Sequence, residues 1–200
     1  RGRQDRLAES LATIYQHIGD DQRLVLEYKF FEPATYVTDV PDWGTSYAHV
    51  TALGERAMVC LDTGHHAPGT NIEFIVAQLL RLGKLGSFDF NSRFYADDDL
   101  IVGAADPFQL FRILFEVIRG GGLNNPDVAF MLDQCHNIED KIPGQIRSVL
   151  NVNGQAIRFM PDPVEGGPPA FSVRDFFKRF PDDEACLGHI FRVRFGERHV

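Results

Sequence analysis

The sequence predicts an α/β protein in which parallel strands alternate with helices. Four short runs, each almost entirely apolar, are separated by segments whose apolar residues recur at helical spacing. Strands that are apolar on both faces are typical of parallel sheets covered by helices. A (β/α)8 barrel of ~250 residues has about 31 residues in each strand–helix unit, and the four runs follow one another at close to that distance. The pattern therefore predicts half of a TIM barrel.

The first half of the pattern contains two helices and two strands. They are predicted as a helix over 7–18, a strand over 24–29, a helix over 43–53 and a strand over 57–62. The first helix depends on apolar residues at positions 7, 11, 14 and 18, and Gly19 ends it. The strands are the apolar runs that begin at Leu24 and Ala57, and Gly54 ends the helix between them.

The second half repeats the alternation. Its predicted elements are a helix over 70–83, a strand over 87–91, a helix over 107–119, a strand over 128–133 and a helix over 138–150. Thr70 and Glu73 have the spacing of a capping box at the start of the first of these helices. Asp106 followed by Pro107 suits the N-cap and the first turn of the next one.

The composition changes after residue 152. Prolines and glycines accumulate between residues 153 and 170, and a segment rich in phenylalanine and arginine follows over 171–200. Breaker-rich segments are typical of linkers. The sequence thus predicts a domain over 1–152, a linker over 153–170 and a separate tail over 171–200.

Charge and composition exclude several classes of protein. The whole net charge of −8 comes from residues 1–152, because the remaining residues hold equal numbers of acidic and basic side chains. An acidic balance argues against a nucleic-acid partner and permits a cation site lined by carboxylates. No apolar run reaches the ~20 residues of a membrane helix, so no membrane association is expected. The three cysteines are far apart, which favours a reducing compartment, and we expect a cytoplasmic protein.

Acidic residues recur at the ends of the predicted strands. They are Glu27, Asp62, Asp89 and Asp133. The carboxyl ends of parallel strands form the active-site face of a barrel, so these four side chains should converge. Any one of them alone fits a loop-end carboxylate or a helix cap equally well. Four converging carboxylates cannot all stay ionised without a cation, and oxygen ligands suit Mg²⁺ or Mn²⁺.

A second polar group lies just beyond the strands. His65 follows Asp62 by three residues, and Asp97 and Asp99 flank Asp98. Alternate acids could point in one direction and meet the imidazole, which would suit a second metal, although a solvated acidic loop is the simpler alternative. Lys29 lies two residues from Glu27 on the same strand face and could reach a substrate oxygen or form a structural ion pair.

Four segments in order carry a resemblance to a known family. They are Glu27-Tyr28-Lys29-Phe30-Phe31-Glu32-Pro33, Asp62-Thr63-Gly64-His65-His66, Phe90-Asn91-Ser92-Arg93 with Tyr95-Ala96-Asp97-Asp98-Asp99-Leu100, and Asp133-Gln134-Cys135-His136-Asn137. Over residues 2–152 the chain resembles the C-terminal half of bacterial L-rhamnose isomerases, in the xylose-isomerase-like barrel superfamily. The resemblance implies interconversion of L-rhamnose, or a related aldose, and its ketose. It also implies two divalent cations, with Mn²⁺ preferred over Mg²⁺, Co²⁺ or Zn²⁺, and a homo-oligomeric complete enzyme.

The resemblance also implies roles for single residues. Glu27, Asp62 and Asp133 match ligands of a structural metal. His65, Asp97 and Asp99 match ligands of a catalytic metal, and Lys29 matches a lysine beside the sugar. Two positions depart from the family: Asp89 replaces a histidine ligand, and Cys135 replaces a common serine. These departures bear on the choice of metal and sugar.

Two further expectations concern the extent of the chain. The family has four more strands before the matching segment, so an isomerase truncated at its N-terminal half is expected. The segments 172–186 and 192–199 resemble the start of insertion-sequence transposases that carry a zinc ribbon, whose cysteines would follow Val200. The alternatives are an inactive truncated product, or another metal-dependent enzyme on the same scaffold, such as an epimerase or a phosphodiesterase.

Overall fold

The computed structural model describes residues 2–32, 37–135 and 139–157. In chain order the elements are α1 (Arg3–His17), β1 (Leu24–Glu27), α2 (Trp43–Leu53), β2 (Ala57–Asp62), α3 (Ile72–Arg81), β3 (Leu85–Phe90), α4 (Pro107–Arg119), a 3₁₀ turn (Gly122–Asn124), β4 (Ala129–Leu132) and α5 (Lys141–Ile157). Strands and helices alternate as predicted. Within the described ranges, none of the helices is both long and apolar enough to cross a lipid bilayer.

The four strands form one parallel sheet in the order β1-β2-β3-β4. Each strand pairs with its neighbour in sequence, so every connection leads through a helix to the adjacent strand. This is the topology of four consecutive units of a barrel, and it confirms the predicted α/β class with the parallel sheet of a partial barrel. The predicted tail lies outside the described residues.

The central strands form the core. All six residues of β2 are buried, and Phe88 and Phe90 of β3 stack on each other with ring centroids 4.9 Å apart. Helices α3 and α4 contribute Ile75, Leu79 and Leu114 to the same apolar cluster. Burial on both faces is what a nearly continuous apolar run predicts for a strand in the middle of a parallel sheet.

The two outer strands are much less covered. In β1 the exposed positions are Val25 and Glu27, and in β4 Phe130 and Met131 are 40% and 47% exposed. An apolar groove of about 530 Å³ lies between β4, α4 and α5. The described part of the chain therefore has an open edge at each side of its sheet.

Two helix starts were predicted, and one of them is confirmed. The Asp106 side chain accepts a hydrogen bond of 2.9 Å from the Gln109 N–H, and Pro107 follows in the first turn of α4. At α3 the predicted cap at Thr70 is wrong by one residue, because the Asn71 side chain accepts the hydrogen bond from the Phe74 N–H at 2.9 Å. Asparagine is a strong N-cap residue and competes with threonine for this position.

Several element boundaries differ from the prediction. The first strand ends at Glu27 rather than at residue 29, because the Lys29 N–H donates to the Val40 carbonyl at 3.0 Å and so leaves the strand ladder. The third strand begins at Leu85, two residues before its predicted start at residue 87. Helix α5 continues to Ile157, past the predicted start of the linker at residue 153. The rest of the linker and the tail over 171–200 fall outside the described residues.

Candidate metal centre

Carboxylates from all four strand ends meet at the carboxyl edge of the sheet. Glu27 pairs with Cys60 across β1 and β2, and Asp62 pairs with Asp89 across β2 and β3. Asp133 follows β4, where its N–H donates to the Phe90 carbonyl at 3.1 Å. One ligand oxygen from each of the four carboxylates can be chosen so that all lie within 4.8 Å of one another. The structure thus brings together the four acids that the sequence placed at strand ends.

This crowding disfavours the ionised form of several carboxyl groups. Burial raises the pKa of Asp62 to about 7, although His65, Asn91 and the Gly64 N–H act to lower it. Burial also raises the pKa of Glu27, and its neighbours Asp89, Asp133 and Asp97 add to that effect while His65 opposes it. The pKa of Asp89 is raised by burial and by Asp133. A cation among these groups would relieve both the repulsion and the lost hydration.

His65 lies at the centre of the acids. Its Nδ1 is 3.0 Å from the Tyr28 carbonyl oxygen and 3.3 Å from Glu27 Oε1, and its Nε2 is 3.2 Å from Asp97 Oδ1. Burial lowers the pKa of the imidazole, but Asp97, Asp62 and Glu27 outweigh it and raise the pKa to about 9. If Nδ1–H donates to the Tyr28 carbonyl, the neutral ring presents Nε2 as a ligand atom.

The acidic loop divides its three carboxylates between two directions. Asp98 turns away from the strands and accepts hydrogen bonds from the N–H groups of Phe94, Tyr95 and Ala96 at 2.6, 2.8 and 3.3 Å. Asp97 faces His65 instead, and its pKa is held well below the usual range, first by His65 and then by Lys29.

Asp99 adopts a left-handed conformation with φ of 46°, which is uncommon for a residue other than glycine and marks local strain. Burial, followed by repulsion from Asp97 and Asp133, raises the pKa of Asp99 to about 6. The carboxyl groups of Asp97 and Asp99 are thus close enough to influence each other.

Lys29 is both inside the site and part of an ion pair. Its side chain is 7% exposed, and its Nζ lies 2.8 Å from Asp97 Oδ2 and 3.6 Å from Glu32 Oε2. From the sequence, Lys29 could either reach a substrate oxygen or form a structural ion pair. These two functions are thus compatible. A buried ammonium held by Asp97 next to His65 has a fixed position beside the carboxylate cluster.

Not all predicted ligands form one compact group. Within the described ranges, His65 converges with Glu27 and Asp62, whereas Asp97 and Asp99 belong to none of the groups of ligand atoms that lie within 4.8 Å of one another. Asp97 connects to the cluster through His65. Cys135, which replaces the family's serine, is an exposed free thiol.

Three further groups at the site were not among the residues predicted from the sequence. Asn91 donates to both oxygens of Asp62, at 2.9 and 3.0 Å. Cys60 is 3% exposed and donates to Asp89 Oδ2 at 3.4 Å. Tyr28 Oη lies 2.7 Å from His66 Nε2 in a buried contact. Asn91 follows the third strand directly, as the acids follow theirs, but it is neutral and so lacks the charge by which the acids were predicted.

The donor set fits a hard divalent cation. Oxygen atoms dominate the cluster, and Mg²⁺ and Mn²⁺ prefer carboxylate oxygens. Among the described residues, Asp89 Oδ1 is buried and has no hydrogen-bond partner. A buried carboxylate oxygen without a donor is costly, and a bound cation would satisfy it.

Fold and site together define a parallel α/β protein with a carboxylate-rich centre, of the kind that holds hard cations, on the face where barrel enzymes have their active sites. No family model matches the chain. Over 150 residues it is 44% identical to a Rhizobium meliloti protein named "probable sugar isomerase" and 42% identical to one of the same description from Mesorhizobium japonicum. Each match covers 74% of this chain and 35% of the relative, so the chain spans about a third of the length of these relatives.

Proposed function

We propose that the chain carries the metal-binding part of an aldose–ketose isomerase that interconverts L-rhamnose and L-rhamnulose. The observation that carries the proposal is the convergence of Glu27, Asp62, Asp89 and Asp133 within 4.8 Å on the carboxyl edge of a parallel sheet. The similarity to proteins named sugar isomerases supports the class of reaction. The motifs quoted above support the choice of L-rhamnose.

The two polar groups divide the work of holding cations. Glu27, Asp62, Asp89 and Asp133 offer oxygen atoms for one divalent cation. His65 Nε2, with Asp97 and Asp99, offers ligands for a second. Mn²⁺ suits this mixed set best, because it accepts carboxylate oxygens and tolerates an imidazole nitrogen. Mg²⁺, Co²⁺ and Zn²⁺ are the alternatives.

Isomerisation exchanges a carbonyl and a hydroxyl between the first two carbons of the sugar while one hydrogen moves between those carbons. When bound, the two cations supply Lewis-acid polarisation of the sugar oxygens at these carbons. The residues of the chain must therefore hold the oxygens in place and compensate the negative charge that develops on them.

Lys29 is suited to the second task. Its ammonium group is largely excluded from water and lies 2.8 Å from Asp97 Oδ2. An ammonium held in a dry site donates hydrogen bonds without first reorganising, which strengthens its effect on a developing oxyanion. We assign to Lys29 the donation of a hydrogen bond to a sugar oxygen.

The exposed members of the cluster define the direction of approach. The Glu27 side chain is 42% exposed, whereas Asp62 is fully buried beneath it. A sugar can therefore reach the centre from its exposed side, where Glu27 and Asp133 lie, and Asp62 acts from the buried side. Burial of Asp62 keeps water away from one side of the cations, which strengthens electrostatic interactions there.

The test is an activity assay with L-rhamnose and a panel of related aldoses in Mn²⁺. It uses the intact protein, which here means this chain together with the four preceding barrel strands that the resemblance implies. Formation of the ketose, lost on chelation and restored by Mn²⁺, is the expected result. An epimeric aldose as product would indicate an epimerase, and hydrolysis of a phosphodiester would indicate the other alternative on this scaffold.

The acidic loop offers a matched pair of variants for this assay. Asp97→Asn removes a charge that faces His65 and Lys29, and we expect activity to fall by a factor of about 10² or more. Asp98→Asn changes the neighbouring residue, which points away and caps the loop, and should retain most of the activity. Equal losses in the two variants would contradict the assigned direction of these side chains.

A further inference from the structure

Asn91 lies directly behind one member of the carboxylate cluster. We propose that Asn91 makes Asp62 a one-oxygen ligand and thereby selects small octahedral cations over Ca²⁺; this inference rests on the proposed function. Asn91 is 4% exposed, and Asp62 is fully buried. The Asn91 Nδ2 lies 2.9 Å from Asp62 Oδ1 and 3.0 Å from Asp62 Oδ2.

The nearly equal distances fix the position of the amide. A nitrogen equidistant from both oxygens lies where a cation would have to sit to bind both of them. Asp62 Oδ1 also accepts the Gly64 N–H at 2.6 Å, so it already has two donors. Asp62 Oδ2 is the oxygen on the side of His65, 3.8 Å from its Nε2. The remaining lone pair of Oδ2 is therefore the one that faces the cluster.

The backbone holds Asn91 in this position from two strands. The Asn91 N–H donates to Thr63 Oγ1 at 2.9 Å, and the Thr63 hydroxyl donates to the Asn91 carbonyl at 2.9 Å. The Thr63 N–H donates to the Asp89 carbonyl at 3.0 Å. The ends of β2 and β3 are thus tied together at the level of Asp62, which fixes the backbone from which the Asn91 amide extends.

Position 64 must be glycine for the same contact to form. A Cβ atom there would lie 2.4 Å from Asn91 Oδ1 and 3.2 Å from Asp62 Oδ1. The first distance is too short for two nonbonded heavy atoms, so a side chain at this position would displace the amide. Glycine at the turn lets the Asn91 side chain approach the backbone of the β2–α3 loop closely.

The orientation of the amide follows from the charge of Asp62. Turning the amide round would bring Asn91 Oδ1 against the carboxylate, which repels it. In the orientation present, Asn91 Oδ1 is buried and has no hydrogen-bond partner among the described residues. Leaving a buried acceptor unpaired costs free energy, so the hydrogen bonds to Asp62 are what hold the amide in place.

A one-oxygen carboxylate ligand distinguishes between cations. Mg²⁺ requires a nearly ideal octahedron, and a single oxygen from each carboxylate is compatible with it. Ca²⁺ takes six to eight oxygens, often including both oxygens of a carboxylate. By occupying the two-oxygen position of Asp62, Asn91 lowers the number of oxygens that the centre can offer and so disfavours Ca²⁺.

The test is a calorimetric titration of the intact protein with Mn²⁺ and, separately, with Ca²⁺. In Asn91→Ala, which removes the donors and clears the two-oxygen position of Asp62, we expect Mn²⁺ affinity to fall by about 10–100-fold, the usual cost of losing a partner of a metal ligand. Ca²⁺ affinity should change much less. The dissociation constant for Ca²⁺ divided by that for Mn²⁺ should therefore fall by about tenfold or more. A merely structural function would lower both affinities together.

Asn71→Ala is the control, because Asn71 caps α3 from an exposed position and its loss should leave the ratio unchanged. If Asn91→Ala does not fold, Gly64→Ala decides the question, since it displaces the amide while keeping Asn91 in the chain. A folded variant that keeps the native ratio within twofold would overturn the inference and leave the proposed function intact. A native protein that binds no divalent cation would overturn both.

Discussion

Cation binding should become stronger as the pH rises from 7 to 9, because His65 must lose a proton before it can act as a ligand. Its pKa is raised to about 9 in the cation-free protein by Asp97, Asp62 and Glu27, against the effect of burial. At pH 7 only about 1% of the imidazole is then neutral, so the apparent affinity for Mn²⁺ should be about 100-fold below its value at high pH. Between pH 7 and pH 8 the apparent affinity for Mn²⁺ should therefore rise about tenfold.

The proton on His65 stabilises the folded protein when no cation is bound. The pKa of His65 is raised above 6.5, so the folded state binds the proton more tightly than the unfolded state does. The resulting stabilisation is complete below pH 6.5 and is lost as the pH rises through about 9. A cation competes with that proton, so cation affinity must change in the opposite direction. Below pH 7 the slope should steepen, because Asp62, with a pKa of about 7, also takes up a proton.

Isothermal titration calorimetry with Mn²⁺ in buffers of different ionisation enthalpy measures both the affinity and the protons released. About one proton should be released per cation bound at His65 near pH 8. His65→Asn should remove most of the slope between pH 7 and 9. His49→Asn is the matched control, because His49 is half-buried and its ring nitrogen contacts Gln4 at 3.0 Å, away from the cluster. Affinity that is constant from pH 7 to 9, without proton release, would refute the assignment of His65.

Three further predictions follow from the burial of single groups and from the open sheet. Asp62→Asn should abolish cation binding among the strand-end carboxylates yet stabilise the cation-free protein at pH 8 by about 1–3 kcal/mol, because a buried charge is removed; thermal unfolding in a chelator measures this, and a lower melting temperature would contradict it. Asp106→Ala should cost about 1 kcal/mol through the lost cap of α4 without changing Mn²⁺ affinity, and a changed affinity would show that α4 is coupled to the centre. Residues 1–200 alone should self-associate and show no significant isomerase activity, because β1 and β4 leave both edges of the sheet open; sedimentation and a ketose assay in Mn²⁺ test this, and a monomeric, active chain would refute it.

The fold could be predicted because each strand has its own apolar run. Ala57–Asp62 was predicted with its exact bounds, since the strand is buried on both faces and its apolar run ends at one acidic residue, Asp62. The α4 start was predicted because aspartate followed by proline has one favourable arrangement at a helix N-terminus. The α3 start was placed one residue early, because Thr70 and Asn71 are both capable caps and only the backbone of the loop selects between them.

The convergence of the acids was predictable for a similar reason. In a parallel sheet the carboxyl ends of all strands lie on one edge, so an acid at each end must approach the others. The partners of these acids were not predictable. The contact between Asn91 and Asp62 depends on the register of β2 and β3 and on the space that Gly64 leaves, neither of which a one-dimensional pattern contains. The direction of Asp98 likewise depends on three backbone N–H groups of its own loop.

The central claim is that the strand-end carboxylates hold divalent cations, and anomalous diffraction tests it most directly. Crystals of the intact protein grown with Mn²⁺ and measured near the manganese absorption edge should show two peaks. One should lie among Glu27, Asp62, Asp89 and Asp133, and the other beside His65, Asp97 and Asp99. Crystals without any anomalous peak at this edge of the sheet, at a Mn²⁺ concentration that supports activity, would contradict the account.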